Sequence, residues 1–310
     1  MPQDILATAY QNHFKTDLEV SSFPIKKGAS GRTIIRMETS ETPSVIAIHY
    51  TDERDDNALH QPISGLLETN EVTVPKIHFS DLEAKILLVE DIGSTDLLSL
   101  KGTPWETRAP YYRATFTELA KISKTPVPEG YEIMPPFMEE TYRWEQQYFA
   151  EHFLGTHLGL KYQSFLDNPT MITLAKELGA NQPSLVHRDF QSQNLMLRGD
   201  QVYIIDFQGA RLGHTEYDLA SFIYDPYMKH SEEECEKLLS LWEEVSGHPL
   251  DPDLMRKCAL QRLMQALGAY GNIVHNQKND WYAQHITPAM EMLLLLAKDS
   301  EYEELLSVIK

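Results

Sequence analysis

Residues 187 to 194 read HRDFQSQN, and a later apolar run, VYIID, ends on Asp206. These two stretches constrain the chain more than any other feature, because both carry polar side chains that acquire meaning only if the backbone brings them together. Between them Arg198-Gly199-Asp200-Gln201 separates two apolar runs as a hairpin turn does, within a β-rich interval from Leu195 to Phe207. A strand ending on an aspartate projects that carboxylate past the sheet, so the returning hairpin carries Asp206 toward Asp189 and Asn194. A lone Asp is usually a turn or cap residue, and a lone His a satisfied core residue. Here the joint spacing carries the inference.

The flanking sequence supplies a setting. From about Ser21 to Glu90 the pattern is one of strands and turns: Arg32–Met37, Ser44–Tyr50 and Lys85–Glu90 read as strands. Asn57–Leu67 reads as a helix, weakened by Pro62 and Gly65. After Gly93 the pattern turns helical. Tyr112, Phe116, Leu119 and Ala120 share one helix face, and Met138, Tyr142, Phe149 and Phe153 share another. Further helices are expected over Ser231–Ser246, Pro252–Tyr270 and Ile286–Ala297. The whole reads as α+β in two lobes, a small β-rich one over residues 1–91 and a larger, mainly helical one over 92–310.

HRDFQSQN matches H-R-D-x-x-x-x-N at all four specified positions, a pattern whose chemistry is phosphoryl transfer. That reaction needs a carboxylate to orient an attacking hydroxyl and accept its proton, and a nearby amide oxygen to hold magnesium; Asp189 and Asn194 supply them, and Asp206 is the natural second metal ligand. A metal hydrolase using the same carboxylates is the competing reading, but it has no need of a preceding β lobe. Upstream, KKGASGRTIIR offers Gly28, Ser30 and Gly31 for close backbone approach to phosphates, although a plain hairpin turn looks much the same. In ILLVEDIGS, backbone groups of Glu90 to Ile92 can pair with an adenine edge while Val89 and Ile92 cover its faces. One element departs from pattern: the strand that carries a nucleotide-binding lysine in V-A-I-K is VIAIHY here, which puts His49 in that place. Either Arg32, Arg36, Lys26 or Lys27 supplies the charge, or nucleotide binding is weak, or the strand alignment slips; the first is favoured.

Charge favours it. Asp and Glu number 46 against 27 Lys and Arg, a formal net charge of −19, which argues against a nucleic-acid partner and would repel ATP unless local cations offset it. The only cysteines, Cys235 and Cys258, lack metal-ligand spacing and suit a reducing compartment. The N-terminus lacks a signal peptide's basic start and apolar core, and no apolar stretch is long enough to span a bilayer, so a soluble cytoplasmic protein without a membrane partner is expected.

Beyond Asp206 the chain continues IIDFQGARLGHTEYDLASFIYD. Together with HRDFQSQN this resembles the aminoglycoside phosphotransferase and choline kinase superfamily, whose members follow the metal-binding Asp with a short linker and a Tyr-Asp-Leu-Ala helix start. Protein kinases have Asp-Phe-Gly there and an activation segment ending in Ala-Pro-Glu; here Gln208 replaces the glycine and no Ala-Pro-Glu follows, which argues for a small-molecule acceptor over a protein. Three stretches are similar to one branch, the bacterial anomeric kinases of N-acetylmuramate and N-acetylglucosamine that serve peptidoglycan recycling: HRDFQSQNLM with IDFQGA, WEQQYFAEHFLGTHLGL, and QALGAYGNIVHNQKNDWYAQHI.

The resemblance implies a protein-kinase-like fold, ATP and Mg2+ as cofactors, and a sugar or amino-alcohol acceptor, with a monomer as the default. It implies Asp189 as catalytic base, Asn194 and Asp206 as magnesium ligands, Asp218 as a carboxylate that steadies the catalytic loop, and His187 and Arg188 as that loop's scaffold. The acceptor is expected between this loop and the helical segment containing Glu145, with Tyr217, Asp225 and Arg211 near its mouth. Aminoglycoside, choline and homoserine acceptors stay open, as does a nucleotide-binding module that has lost transfer, motivated by His49. Phosphorylation of proteins would need a peptide groove, for which the sequence has no recognisable activation segment.

Overall fold

Apolar residues alternate in the second and third strands of the chain, and the sheet they help to form has two faces with different neighbours. A computed structural model describes residues 2–25 and 31–309. In it β1 (Ser21–Pro24), β2 (Thr33–Glu38), β3 (Val45–His49), β4 (Ile77–Asp81) and β5 (Ile86–Glu90) form an antiparallel sheet in the order β1-β2-β3-β5-β4. One face, with Ile35, Met37, Val45, Ala47 and Leu88, is covered by Leu6 and Tyr10 of α1 (Pro2–Phe14). Leu6 and Tyr10 are four residues apart and fully buried, so Leu6→Ala would cost about 2–5 kcal/mol. The other face presents Ile34, Ile46, Ile48 and Val89 to a cleft. The expected Asn57–Leu67 helix forms as a 3-10 turn, Asp55–Leu59, followed by α2 (His60–Thr69). Pro62 is tolerated because it lies in the first turn, where its missing N–H has no intrahelical partner to lose.

The rest is mostly helical, which gives the two-lobed, protein-kinase-like α+β arrangement. α3 (Trp105–Lys124) buries Tyr112, Phe116, Leu119 and Ala120. α4 (Glu139–Phe149) runs on into a π-helical stretch, Ala150–His157, with Tyr142, Phe149 and Phe153 fully buried. Met138 departs from the expected face: it precedes the helix as its N-cap and is 42% exposed. After α5 (Gln163–Leu166) and α6 (Pro169–Gly179), β6 (Ser184–Val186) leads into the HRDFQSQN loop. β7 (Leu195–Arg198) and β8 (Gln201–Ile204) form the expected hairpin, with Gly199 in the left-handed conformation its turn requires (φ 64°). β9 (Arg211–Gly213) pairs with β6, and α7 (Thr215–Ile223) and α8 (Glu232–Ser246) follow. α9 (Pro252–His275) starts from Asp251, whose carboxylate caps the N–H groups of Asp253 and Leu254. α10 (Ile286–Ala297) and α11 (Glu303–Leu306) are the last α-helices among the described residues.

α9 packs on α4 and its π-helical continuation at unusually short range. A Cβ on Gly268 would lie 2.9 Å from the Phe149 backbone, and one on Gly271 2.3 Å from the His152 carbonyl oxygen. Each glycine costs about 1 kcal/mol of helix propensity, and close backbone approach is what it gives in return. The motifs WEQQYFAEHFLGTHLGL and QALGAYGN therefore describe two sides of one contact. No helix among the described residues is long and apolar enough to cross a membrane.

Candidate active site

The loop between β6 and β7 is held by two buried carboxylates that accept main-chain N–H groups. Asp218, in the first turn of α7, accepts from His187 N at 2.5 Å and Arg188 N at 2.8 Å. Asp225, just past α7, accepts from Ser192 N at 2.9 Å and Ser192 Oγ at 2.5 Å. The His187 ring spans the loop: Nδ1 accepts from Asp189 N at 3.2 Å, which makes Nε2 the donor to the Ile205 carbonyl at 2.9 Å. Asn194 donates Nδ2–H to the Asp189 carbonyl at 2.8 Å, and its Oδ1 has no partner among the described residues. These bonds hold Arg188 (φ 82°) and Asp206 (φ 63°) in left-handed conformations that each cost about 1–3 kcal/mol.

Asp189, Asn194 and Asp206 line one cavity of about 560 Å3, roofed by Ile25, Ile34, Ile46, Ile48, Val89 and Ile92. The Asp189 and Asp206 side chains keep 34% and 40% of their surface exposed, so both carboxylates are reachable from the cavity. Burial pushes Asp189 toward protonation, but the charges of Arg188 and Arg262, then His187 and Arg54, outweigh it and hold the group below its ordinary value of 3.8. Asp218 goes the other way: desolvation raises it to about 6, only partly opposed by His187 and the backbone donors. The Asn194 oxygen and the Asp206 carboxylate are hard oxygen donors on one wall, a set that fits Mg2+, which binds through few protein ligands and takes its remaining oxygens from phosphate and water.

Arg32, Arg36 and Arg54 of the N-terminal lobe all line the cavity, and Arg32 is the one that reaches Asp206. Arg32 Nη2 donates to Asp206 Oδ1 at 3.1 Å from a side chain only 7% exposed, whereas Arg36 is engaged by Asp91 at 2.6 and 3.0 Å. His49 does not reach the cavity: β3 alternates, so Ile46 and Ile48 face the cleft while His49 shares the opposite side with Val45 and Ala47. The β3 side chains that enter the cavity are Ile46 and Ile48, so His49 does not stand in for a nucleotide-binding lysine there. Glu90 and Ile92 line the cavity, but Glu90 N donates to the Lys76 carbonyl at 2.8 Å and is not available to an adenine. Gly31 (φ 70°) precedes Arg32 and lies outside the lining; Gly28, Ser30, Lys26 and Lys27 fall outside the described residues.

The expected acceptor residues are not at the mouth. Glu145, Tyr217, Arg211 and Asp225 are all buried, and none lines the cavity. Tyr217 Oη donates to Glu145 Oε1 at 2.8 Å and Gln261 Nε2 to Glu145 Oε2 at 3.0 Å, behind the loop; burial pushes the Glu145 carboxyl up. Arg211 lies over the Phe137 ring at 4.9 Å, and Asp225 is a loop clamp. Each sits beside a chemistry-bearing motif, but helix rotation and strand register turn it inward.

The wall beyond Asp189 comes instead from α9 and the turn after it: Arg262, Gln265, Ala269, Tyr270, Ile273 and Tyr282, with Tyr227 below. Arg262 donates to Asp189 Oδ1 at 3.4 Å and to Ser221 Oγ at 3.0 Å. The cavity is also lined by Arg54, Asp56 and His60 of the N-terminal lobe. The sequence reading missed all of these. A signal existed, since QALGAYGN and DWYAQHI contain Gln265, Tyr270 and Tyr282, but a motif does not say which of its members face a cavity.

Residues 24–248 match the phosphotransferase enzyme family. The chain is 28% identical over 273 residues to an N-acetylmuramate/N-acetylglucosamine kinase of Pseudomonas aeruginosa, covering 84% of this chain and 78% of that one. A protein of the same name from Neisseria meningitidis serogroup B is 25% identical over 292 residues, covering 89% and 85%. Among solved structures, choline kinase LicA from Streptococcus pneumoniae superposes with a TM-score of 0.67 at 16% identity, over 93% of this chain and 99% of that one. The streptomycin-ATP-APH(2")-IIa ternary complex gives 0.58 at 13%, over 93% and 97%.

Proposed function

The chain belongs to the phosphotransferase enzyme family, and from that premise we propose that it transfers the γ-phosphoryl group of ATP, with Mg2+, to the anomeric hydroxyl of an N-acetylated amino sugar, N-acetylmuramate or N-acetylglucosamine. The observation that carries this reading is the opening of Asp189, Asn194 and Asp206 onto one cavity, under an apolar roof on one side and an aromatic and cationic wall on the other. The roof suits an adenine ring, and Arg32 takes the part of the missing lysine toward the phosphates. Asn194 Oδ1 and Asp206 would hold magnesium, which would supply charge neutralisation for the phosphate oxygens. Asp189, kept anionic by the arginines around it, orients the acceptor hydroxyl and accepts its proton as the oxygen attacks the γ-phosphorus and ADP leaves. His187, Arg188, Asp218 and Asp225 support the loop.

The names of the relatives from Pseudomonas aeruginosa and Neisseria meningitidis support the sugar. A role in recycling cell-wall sugars places the enzyme in the cytoplasm, where such sugars meet ATP. A choline-type acceptor is the second reading, favoured by Tyr227, Tyr270 and Tyr282 in the cavity lining, a residue type that suits a quaternary ammonium. Arg54, Arg188 and Arg262 oppose it, because at contact range like charges in a partly desolvated cleft repel by several kcal/mol, about 4 at an effective dielectric of 20. The test is ADP release by purified protein with ATP and Mg2+ across N-acetylmuramate, N-acetylglucosamine, choline and aminoglycosides. Turnover of the two sugars is expected. Turnover of choline alone replaces the acceptor and keeps the class; no turnover of any acceptor, with ADP still bound, favours a binding module.

A further inference from the structure

The acceptor side of the cavity is more cationic than a chain of formal net charge −19 leads one to expect. Arg54, Arg188 and Arg262 all line it. Two of them are already engaged: Arg54 pairs with Asp56 through Nε at 3.2 Å and Nη2 at 2.9 Å, and Arg262 holds Ser221 and Asp189. Arg188 differs. Its main-chain N–H is clamped by Asp218, but its guanidinium makes no hydrogen bond or ion pair with another described residue. Asp189, Glu145 and Asp56 act on it by charge alone, and none takes up its N–H donors, so those donors stay open to an anionic ligand in the cavity.

The surroundings say where that ligand sits. Gly209 lies between Arg188 and the Arg54–Asp56 pair: a Cβ there would lie 3.5 Å from Arg188 Nη1 and 3.9 Å from Asp56 Oδ2, in ordinary contact with both. Both guanidinium charges also reach Tyr148 on α4: burial pushes that phenol up, and the Asn272 hydrogen bond, Arg188 and Arg54 pull it back. Arg188 adjoins Asp189 in the chain and its charge acts on that carboxylate, so it lies beside the proposed base. We infer that Arg188, with Arg54 beside it, forms a subsite for a carboxylate on the acceptor, so that the enzyme prefers an acidic sugar to its neutral counterpart. This rests on the sugar-kinase reading above. N-acetylmuramate differs from N-acetylglucosamine by a lactyl ether that ends in a carboxylate, and a planar guanidinium fork matches that group with two parallel hydrogen bonds.

The two sugars make the test internal. Steady-state kinetics at saturating Mg-ATP are measured on the wild type, Arg188→Asn and Arg54→Gln with each sugar. Asn is chosen because it tolerates the left-handed backbone at 188 better than most side chains. The ratio of kcat/KM for N-acetylmuramate over N-acetylglucosamine is expected to fall about 10- to 100-fold in Arg188→Asn, as for loss of a charged hydrogen bond, and by a smaller factor in Arg54→Gln. If Arg188→Asn does not fold, the half-exposed Arg54 carries the test. An equal loss for both sugars overturns the inference, because Arg188 then serves the base or the nucleotide. A wild type that turns over both but favours the neutral sugar overturns it too. Turnover of neither sugar removes the sugar reading and this inference together, an outcome distinct from the others.

Discussion

The proposed phosphoryl side and the proposed acceptor side of the cavity are built by different means. On the phosphoryl side nearly every group comes from the short interval between His187 and Asp206, and buried carboxylates fix its backbone before any ligand is considered. On the acceptor side the wall is collected from Arg54, Tyr227, α9 and Tyr282, and its geometry depends on how closely α9 settles on α4. Chemistry common to a family can therefore stay in one rigid loop while acceptor choice is redistributed among packed helices.

If that division is real, Asp189→Asn should have the largest effect, lowering kcat about 10²- to 10⁴-fold with both sugars while ADP affinity by calorimetry stays within a few-fold. Loss of nucleotide binding as well would break the division. Asp218→Ala should act on the loop as a whole, leaving the His187 and Arg188 N–H groups without acceptors and costing about 2–5 kcal/mol in urea unfolding. The two sides separate most cleanly in KM. Arg32→Ala should weaken Mg-ATP about tenfold, with partial rescue by Arg32→Lys, and leave the acceptor KM alone; Tyr282→Ala should raise the acceptor KM and leave that of ATP alone. Cross-effects of similar size would show that the sides are coupled.

The smallest effect concerns pH. Desolvation, with the Arg32 charge adding to it, lowers His60 to about 4, so the folded state binds fewer protons than the unfolded chain between pH 4 and 6.5, and this residue's contribution to stability rises across that window. The raised Asp218 opposes it, contributing stability that is lost as pH climbs from 3.8 through about 6. Thermal melts of His60→Gln should lose the rising part and leave a decline over the same range. Asp189, held below 3.8, should give kcat no acid limb near neutrality.

Much of this was legible before any coordinates. The hairpin, the α3 face and the Ile286–Ala297 helix lie where periodicity and turn chemistry put them. Other elements were not. α1 contributes only Leu6 and Tyr10 to the core, too sparse a stripe to stand out, and of the short strands β1 is mostly exposed and β4 mostly half exposed. His49 was misplaced because strand side chains alternate, so a slip of one residue exchanges the cleft for the opposite face.

What the sequence determined by itself is the loop-hairpin unit, because its members are neighbours along the chain and their hydrogen bonds close over a few residues. Tertiary structure alone decided the acceptor wall. From Cys258 to Gly268 every residue of α9 is buried, so no periodicity marks a functional face, and only packing against α4 selects Arg262, Gln265 and Tyr270 as the side chains that open onto the cavity.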